Sequence, residues 1–276
     1  MVVLAIRSAY GLVVALAIVA AVFWAIEFHW PGSPNQRRLR KGWRTDAWYL
    51  LFTPLITHNL GRLVLATCVV AISLFVGAPI KSGWWIQGWG PAGQLPLLQQ
   101  AVLALLLGDL IGYWTHRWLH AGMWSIHAVH HSSEEMDWMS TLRLHPFNDF
   151  LGRILKGVPF VLLGFSPLLL ALLLPFLAVH AFLLHANVDW SFGPLRYLLA
   201  SPVYHRWHHS SHPEASGKNF SGLFPVWDLL FGTFYMPRTD RPHSLGAPGS
   251  RVPDAFWGQV LYPLRTAKSR PGPDGP

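Results

Sequence analysis

The chain has 276 residues, of which 52% are hydrophobic and only 12% charged, with 21 Lys and Arg against 13 Asp and Glu. A positive mean hydropathy over that length excludes an ordinary soluble domain and points to one embedded in a membrane. The single cysteine, Cys68, excludes disulfides, Cys-ligated zinc and iron–sulfur clusters within one chain, so any metal must be held by His and oxygen ligands.

Residues 9 to 26 carry no charge and are long enough to cross a hydrocarbon core of roughly 30 Å. They predict a retained anchor rather than a cleaved leader, because no small-residue cleavage site follows them. The loop from Pro31 to Arg44 is rich in turn formers and holds five basic residues, Arg37, Arg38, Arg40, Lys41 and Arg44. Positive charge beside a span marks the cytoplasmic side, and it accounts for the net charge of +8 better than nucleic-acid binding does. Residues 47 to 76 form a second apolar segment, interrupted by Pro54 and by the polar run His58 to Arg62, which predicts a kinked or tilted helix. If it crosses, residues 78 to 94 lie on the far side; only Lys81 is charged there, and Trp84, Trp85 and Trp89 suit an interfacial belt, as do Trp24, Trp30, Trp43 and Trp48.

Residues 95 to 118 return through the membrane and deliver His116 and His120 on the side of the basic loop. Residues 147 to 187 are too long for one straight span, and Gly164-Phe-Ser-Pro167 near their middle predicts a hairpin with arms of roughly 17 and 20 residues. Such a hairpin brings His185 back to His116. Beyond it the chain is polar and turn-rich; after Pro237, Pro, Gly and basic residues dominate except for a short amphipathic stretch at 255 to 264, and the last dozen residues are expected to be disordered. The expected division is membrane helices and loops over 1–94, a catalytic domain over 95–237 and a tail over 238–276.

Fifteen histidines are present, and nine fall into a pattern: His116-x3-His120, His127-x2-His130-His131, His185, and His205-x2-His208-His209. Residues spaced by three and four share a helix face, so each run aims its imidazoles at one point. Nine imidazoles exceed the roughly four to six ligands of one ion and suit two. Imidazole accepts zinc, copper, iron and nickel alike, so ligand type does not name the metal. His180 lies five residues before His185, about 140° round an ideal helix, and is a tentative further ligand. His145 is a candidate for the surroundings of the site or a substrate channel; His29, His58, His212 and His243 read as interfacial or solvated. A lone carboxylate in a membrane helix is costly, so Asp109, two turns before His116, is expected either to orient an imidazole or to pair with Arg62 or another polar residue within the bundle. Asp228 could orient a ligand in the same way or cap a helix, and Glu134 and Glu135 read as a solvated face.

These residues resemble the fatty acid hydroxylase and sterol desaturase superfamily of membrane non-haem diiron oxygenases. The matching pieces are Asp109-x3-Tyr-Trp-x-His116-Arg-x2-His120, His127-x2-His130-His131-Ser-Ser-Glu-Glu-Met, Arg143-x-His-Pro146, His185-Ala-Asn-Val, Pro202-x2-His205-Arg-x-His208-His209 and Trp227-Asp-x2-Phe-Gly-Thr233. Asn219-Phe-Ser221 departs slightly from the usual Asn-Tyr-Gly. The resemblance implies an all-α bundle of about four to five membrane helices with a cytosolic histidine cap, two iron ions on the nine histidines, and O2-dependent hydroxylation or desaturation of a fatty acyl, sterol or related lipid. His180 would then be the extra histidine that some members recruit. The chain shows no dinucleotide, haem or iron–sulfur motif, so electrons would come from a separate reductase, ferredoxin or cytochrome b5-like carrier. A membrane metal transporter or sensor without catalysis is the alternative from another class, and aldehyde or ether-lipid chemistry on the same fold is a third. A bacterial inner membrane is the expected location.

Overall fold

The computed structural model describes residues 2–76, 81, 83–238 and 240–268. They contain no strand; β-type pairing is limited to isolated bridges of Pro31 with Val188 and of Ser210 with Leu245. Helix α1 (Val2–His29) ends beside the basic loop, after which α2 (Trp43–Phe52) runs into α3 (His58–Val76). The expected kink at Pro54 is a π-helical turn over Thr53–Thr57. Proline has no N–H to donate and its ring crowds the carbonyl four residues back, and the wider turn relieves both. The short α4 (Trp84–Gln87) precedes α5 (Leu97–Gly122), which ends at Met123, where α6 (Trp124–His131) turns off.

Three later helices start by one local rule. Helices α7 (Pro146–Leu163), α8 (Pro167–His185) and α9 (Pro202–His208) each begin with proline, whose missing N–H costs nothing in a first turn, and the preceding His145, Ser166 or Ser201 caps the helix with its side chain. Short α10 (Val226–Leu230), α11 (Phe256–Val260) and α12 (Tyr262–Lys268) complete the chain.

Four stretches are long and apolar enough to cross a membrane: Tyr10–His29, Trp43–Phe75, Leu97–Gly122 and Pro167–His185. The hairpin expected at Gly164 forms, with arms of 18 and 19 residues. Its first arm, α7, carries Asp149, Arg153 and Lys156 and packs against α3 and α5. Gly164 adopts φ 69° and its carbonyl accepts from the Trp89 N–H at 3.0 Å; a Cβ there would stand 1.9 Å from the Gly90 nitrogen, so only glycine fits. Gln100 seals this end, accepting from the Ser166 N–H at 2.9 Å and donating to the Gln87 and Leu95 carbonyls.

The opposite end holds the histidines, and the basic loop is fastened to it. Arg37, Arg38, Lys41 and Arg44 face outward, but Arg40 turns in, to Asp46 at 2.6 Å, Asp137 at 2.7 Å and the Ser140 hydroxyl at 2.6 Å. Arg143 joins Asp46 at 2.5 Å. This buried network ties residues 40–46 to 137–143. The segment after 237 is also built in: Phe256 and Tyr262 pack with Tyr49, Ala128 and Val129, and the Gly246 N–H bonds the His209 carbonyl at 3.1 Å. An amphipathic pair of short helices buries its apolar face there, which composition alone understates. Of the last dozen residues, expected to be disordered, 265–268 continue α12 and 269–276 lie outside the described residues.

Removing Arg40 leaves the buried Asp137 carboxylate without its cation, although Asp46 keeps Arg143, so Arg40→Met is expected to cost about 3–5 kcal/mol. Lys41→Ala, which breaks only exposed 3.7 Å pairs to Glu134 and Asp254, should change nothing measurable. Thermal unfolding of both variants in one detergent checks the contrast.

Candidate metal centre

The nine patterned histidines come from four places. The end of α5 supplies His116 and His120, α6 supplies His127, His130 and His131, the last residue of α8 is His185, and α9 with its C-cap supplies His205, His208 and His209. They lie in two adjoining groups, His116, His120, His127, His131 and His208, and His130, His185, His205 and His209; within each group the nitrogens lie within 4.8 Å of one another. The groups touch where the His131 and His209 rings stack at 4.3 Å. The break at Met123 is what lets α6 turn its histidines back toward those of α5. His120 and His127 rings are then 4.7 Å apart.

Each imidazole has two nitrogens, and what holds one decides what the other offers. In five histidines Nδ1–H donates to an oxygen: His116 to Phe220 O at 2.8 Å, His127 to Asn148 Oδ1 at 2.8 Å, His130 to Arg143 O at 3.2 Å, His185 to Ala181 O at 3.0 Å and His208 to Lys218 O at 2.8 Å. Their Nε2 atoms therefore carry lone pairs directed into the cluster. His116 Nε2 and His127 Nε2 stand 3.0 Å apart, and His130 Nε2 and His185 Nε2 stand 3.4 Å apart, with no proton left for a hydrogen bond between them. The Nε2 atoms of His120, His131 and His208 are buried without a partner. Buried lone pairs facing one another need a cation, and two nitrogens bound at right angles to one ion at about 2.1 Å would be about 3.0 Å apart. The donor set thus fits metal ions in both groups.

Two carbonyls of this shell flank one residue. Asn219 has φ 59°, a left-handed conformation that asparagine tolerates, and so points Lys218 O at His208 and Phe220 O at His116. Its amide is itself held by the Tyr204 and Tyr235 carbonyls and by the Tyr235 N–H, at 2.7–2.9 Å. Asp228 accepts from the N–H groups of Phe220 and Ser221 at 2.8 and 2.9 Å and from the hydroxyls of Tyr204, Ser221 and Thr233. Asp109 accepts from the N–H groups of Gly222, Leu223 and Phe224 at 2.7–3.0 Å. Neither carboxylate meets an imidazole or Arg62, as the spacing had suggested; both instead grip the backbone of 220–224. Chain direction explains this, since a loop with five free N–H groups lies between them and the histidines.

Other expected residues fall elsewhere. His180 joins neither group; it stacks on Phe176 and faces the backbone of Gly222, as a residue 140° round the helix from His185 should. His145 caps α7 through the Phe147 N–H and donates to Val260 O at 3.0 Å, which makes it a strut to α11 rather than a channel residue. His58 contacts Arg153, His29 lies between Phe28 and Trp30, His212 and His243 are surface residues, and Glu134 is exposed. Asn148 is the one side chain holding a patterned histidine that the sequence reading passed over. It stands beside Asp149 in a first turn and carried no spacing signal.

Asn219→Ala loses three hydrogen bonds and the tolerance for φ 59°, releasing the acceptors of His116 and His208. Outer partners of this kind are typically worth 10–100-fold in metal affinity. Metal retention against a chelator should fall by that factor. Burial pushes His127 and His208 down to about 3, and pushes His130, His131, His205 and His209 down as well. An unfolded chain titrates near 6.5, so as pH falls it binds these protons first. The stability from these groups is present above about pH 6.5 and is lost as pH falls toward 3. Melting temperatures of the metal-free protein across pH 7.5 to 4.5 should decline in that direction.

Residues 101–233 match the fatty acid hydroxylase family. The ornithine lipid hydroxylase of Rhizobium tropici is 35% identical over 189 residues, 66% of this chain and 54% of that protein. The alkylglycerol monooxygenase of Danio rerio is 36% identical over 50% of this chain and 31% of its own length, and methylsterol monooxygenase 1-3 of Arabidopsis thaliana is 27% identical over 50% and 49%. The chain thus spans about half or less of the length of these curated relatives. No solved structure matches it. The order of the histidine motifs, the helical bundle that gathers them and these matches place one conclusion beyond the spacing argument: the chain belongs to the fatty acid hydroxylase and sterol desaturase superfamily.

Proposed function

We propose that the protein is a non-haem diiron monooxygenase that hydroxylates a C–H bond of a membrane lipid. The observation that carries this is the pair of histidine groups in which the Nε2 lone pairs of His116 and His127, and of His130 and His185, face one another while the Nδ1–H groups of these four rings are tied to oxygens. Five imidazoles would hold one iron and four the other. Bound there, the irons supply the redox chemistry that cleaves an unactivated C–H bond with O2, which zinc lacks. The balance is one lipid C–H, one O2, two electrons and two protons giving one C–OH and one water.

The chain's own residues orient and seal. Phe220 O, Lys218 O, Arg143 O, Ala181 O and Asn148 fix the imidazole tautomers, and the buried Arg40 network closes the cap against water on the side of the basic loop. The relatives' names speak of a hydroxylase and monooxygenases acting on an ornithine lipid, alkylglycerols and methylsterols, which favours hydroxylation over desaturation. Electrons come from a separate reductase, ferredoxin or cytochrome b5-like carrier, and the outward Arg37, Arg38, Lys41 and Arg44 suit an acidic one. By the positive-inside rule this loop, and the histidine cap fastened to it, face the cytoplasm, in a bacterial inner membrane. The histidines sit at helix ends and are closed in by carbonyls, which disfavours a transport path through mid-membrane.

Purified protein is expected to contain about two irons per chain, and a host carrying the gene should gain a lipid heavier by one oxygen. His208→Ala should abolish that product, with a loss of at least one iron. Protein that binds zinc alone, or product formation unchanged in His208→Ala, would overturn the assignment.

A further inference from the structure

We propose that Lys156 is the anion-binding residue that selects the substrate, and that the lipid enters the metal site with a carboxylate or phosphate group against it, in a crevice between α5 and α7. The inference rests on the lipid-oxidation reading and names the chemical class that this site accepts.

Residues Asn148, Gly152, Lys156 and Phe160 recur every four positions and so line one face of α7. Gly108, Gly112 and His116 do the same on α5. The two rows meet. A Cβ on Gly108 would stand 3.1 Å from the Phe160 ring, and one on Gly112 would stand 3.0 Å from the Lys156 ammonium. One turn nearer the histidines the seam opens, because a Cβ added to Gly152 would meet nothing within 4 Å. That opening is flanked by Asn148, which holds His127, and by the level of His116 on α5. His116 and His120 are also the half-buried members of the five-histidine group, whose other three are buried. The crevice therefore leads to that group.

Lys156 is accessible in this seam. Its charged neighbours are Asp109, Asp149 and Arg153, and among the described residues none makes an ion pair or hydrogen bond with it. Asp149 is occupied by Arg153 and the Thr57 hydroxyl, and both oxygens of Asp109 are occupied by the amides of 222–224. An ammonium without a contact partner among membrane helices is costly and marks a functional position. Gly112 precedes His116 by four residues, so the ammonium lies about 6 Å, one helical turn, to the membrane side of the metal ligands. A lipid anion placed there makes charge-assisted hydrogen bonds with Lys156. The carbon to be oxidised then lies only a few bonds from the anionic group, at the head end of the lipid and not in mid-chain.

The test compares binding of fluorescent cis-parinaric acid, its alcohol and its phosphate monoester to the metal-loaded, detergent-purified full chain. The acid or the phosphate should bind at least tenfold more tightly than the alcohol, and the stronger of the two names the anion. Lys156→Met should erase the preference, Lys156→Arg should keep it, and both should retain the iron content of the unaltered protein. If Lys156→Met does not fold, Lys156→Gln takes its place. Equal binding of acid, phosphate and alcohol to the unaltered protein, or a preference that survives the loss of the charge, overturns the proposal. Binding is read without turnover, so absence of iron or of oxidised product counts against the oxidation reading separately.

Discussion

Burying imidazoles with their lone pairs pointing at one another is unfavourable without cations between them, and the whole cap is arranged to enforce that geometry. Each of five Nδ1–H groups is given an oxygen, which removes the tautomer that would let neighbouring rings hydrogen-bond to each other. Four of these oxygens are backbone carbonyls, so the orientation of a ring depends on the path of the chain beside it. The bundle, the hairpin and the 218–224 loop can be understood as ways of bringing those carbonyls to the right places.

The dependence is layered. Asp109 and Asp228 touch no patterned histidine, yet between them they take five backbone N–H groups from 220–224, and this sets the carbonyl that holds His116. Asn219 in its left-handed conformation serves two rings at once. On the other flank, Arg143 contributes its carbonyl to His130 and its guanidinium to Asp46, so the charge network that anchors the basic loop also positions a candidate ligand. Such coupling adds to the packing of Trp138 and Met139 against Phe23, Leu50 and Phe182, by which the cap is seated on the membrane helices.

The bilayer side is arranged differently. Glycines at 108 and 112 bring α7 close to α5 where Phe160 and Lys156 sit, and the open position at Gly152 leaves a gap beside the five-histidine group. The chain is tight where carbonyls must hold rings and loose where a substrate would have to pass. One unpaired ammonium at the edge of that gap gives it a chemical preference.

The sequence by itself determined the helical membrane class, the hairpin at Gly164 and the nine-histidine pattern. These follow from local properties: run length, turn residues and helical spacing act over a few residues and are written in the chain. It could not assign His145 or Asp109 to their partners, because those lie about 115 positions away and backbone groups look the same in every residue; the partners of Asp228 are near in sequence, but they lie in a turn-rich stretch with no periodicity to point to them. Nor could it show that the segment after 237 packs onto the cap, since a short amphipathic stretch buries its face only when a matching surface exists. The division of the histidines into five and four was decided by tertiary structure alone. It depends on the turn at Met123 and on the return of α8, which together set which rings meet.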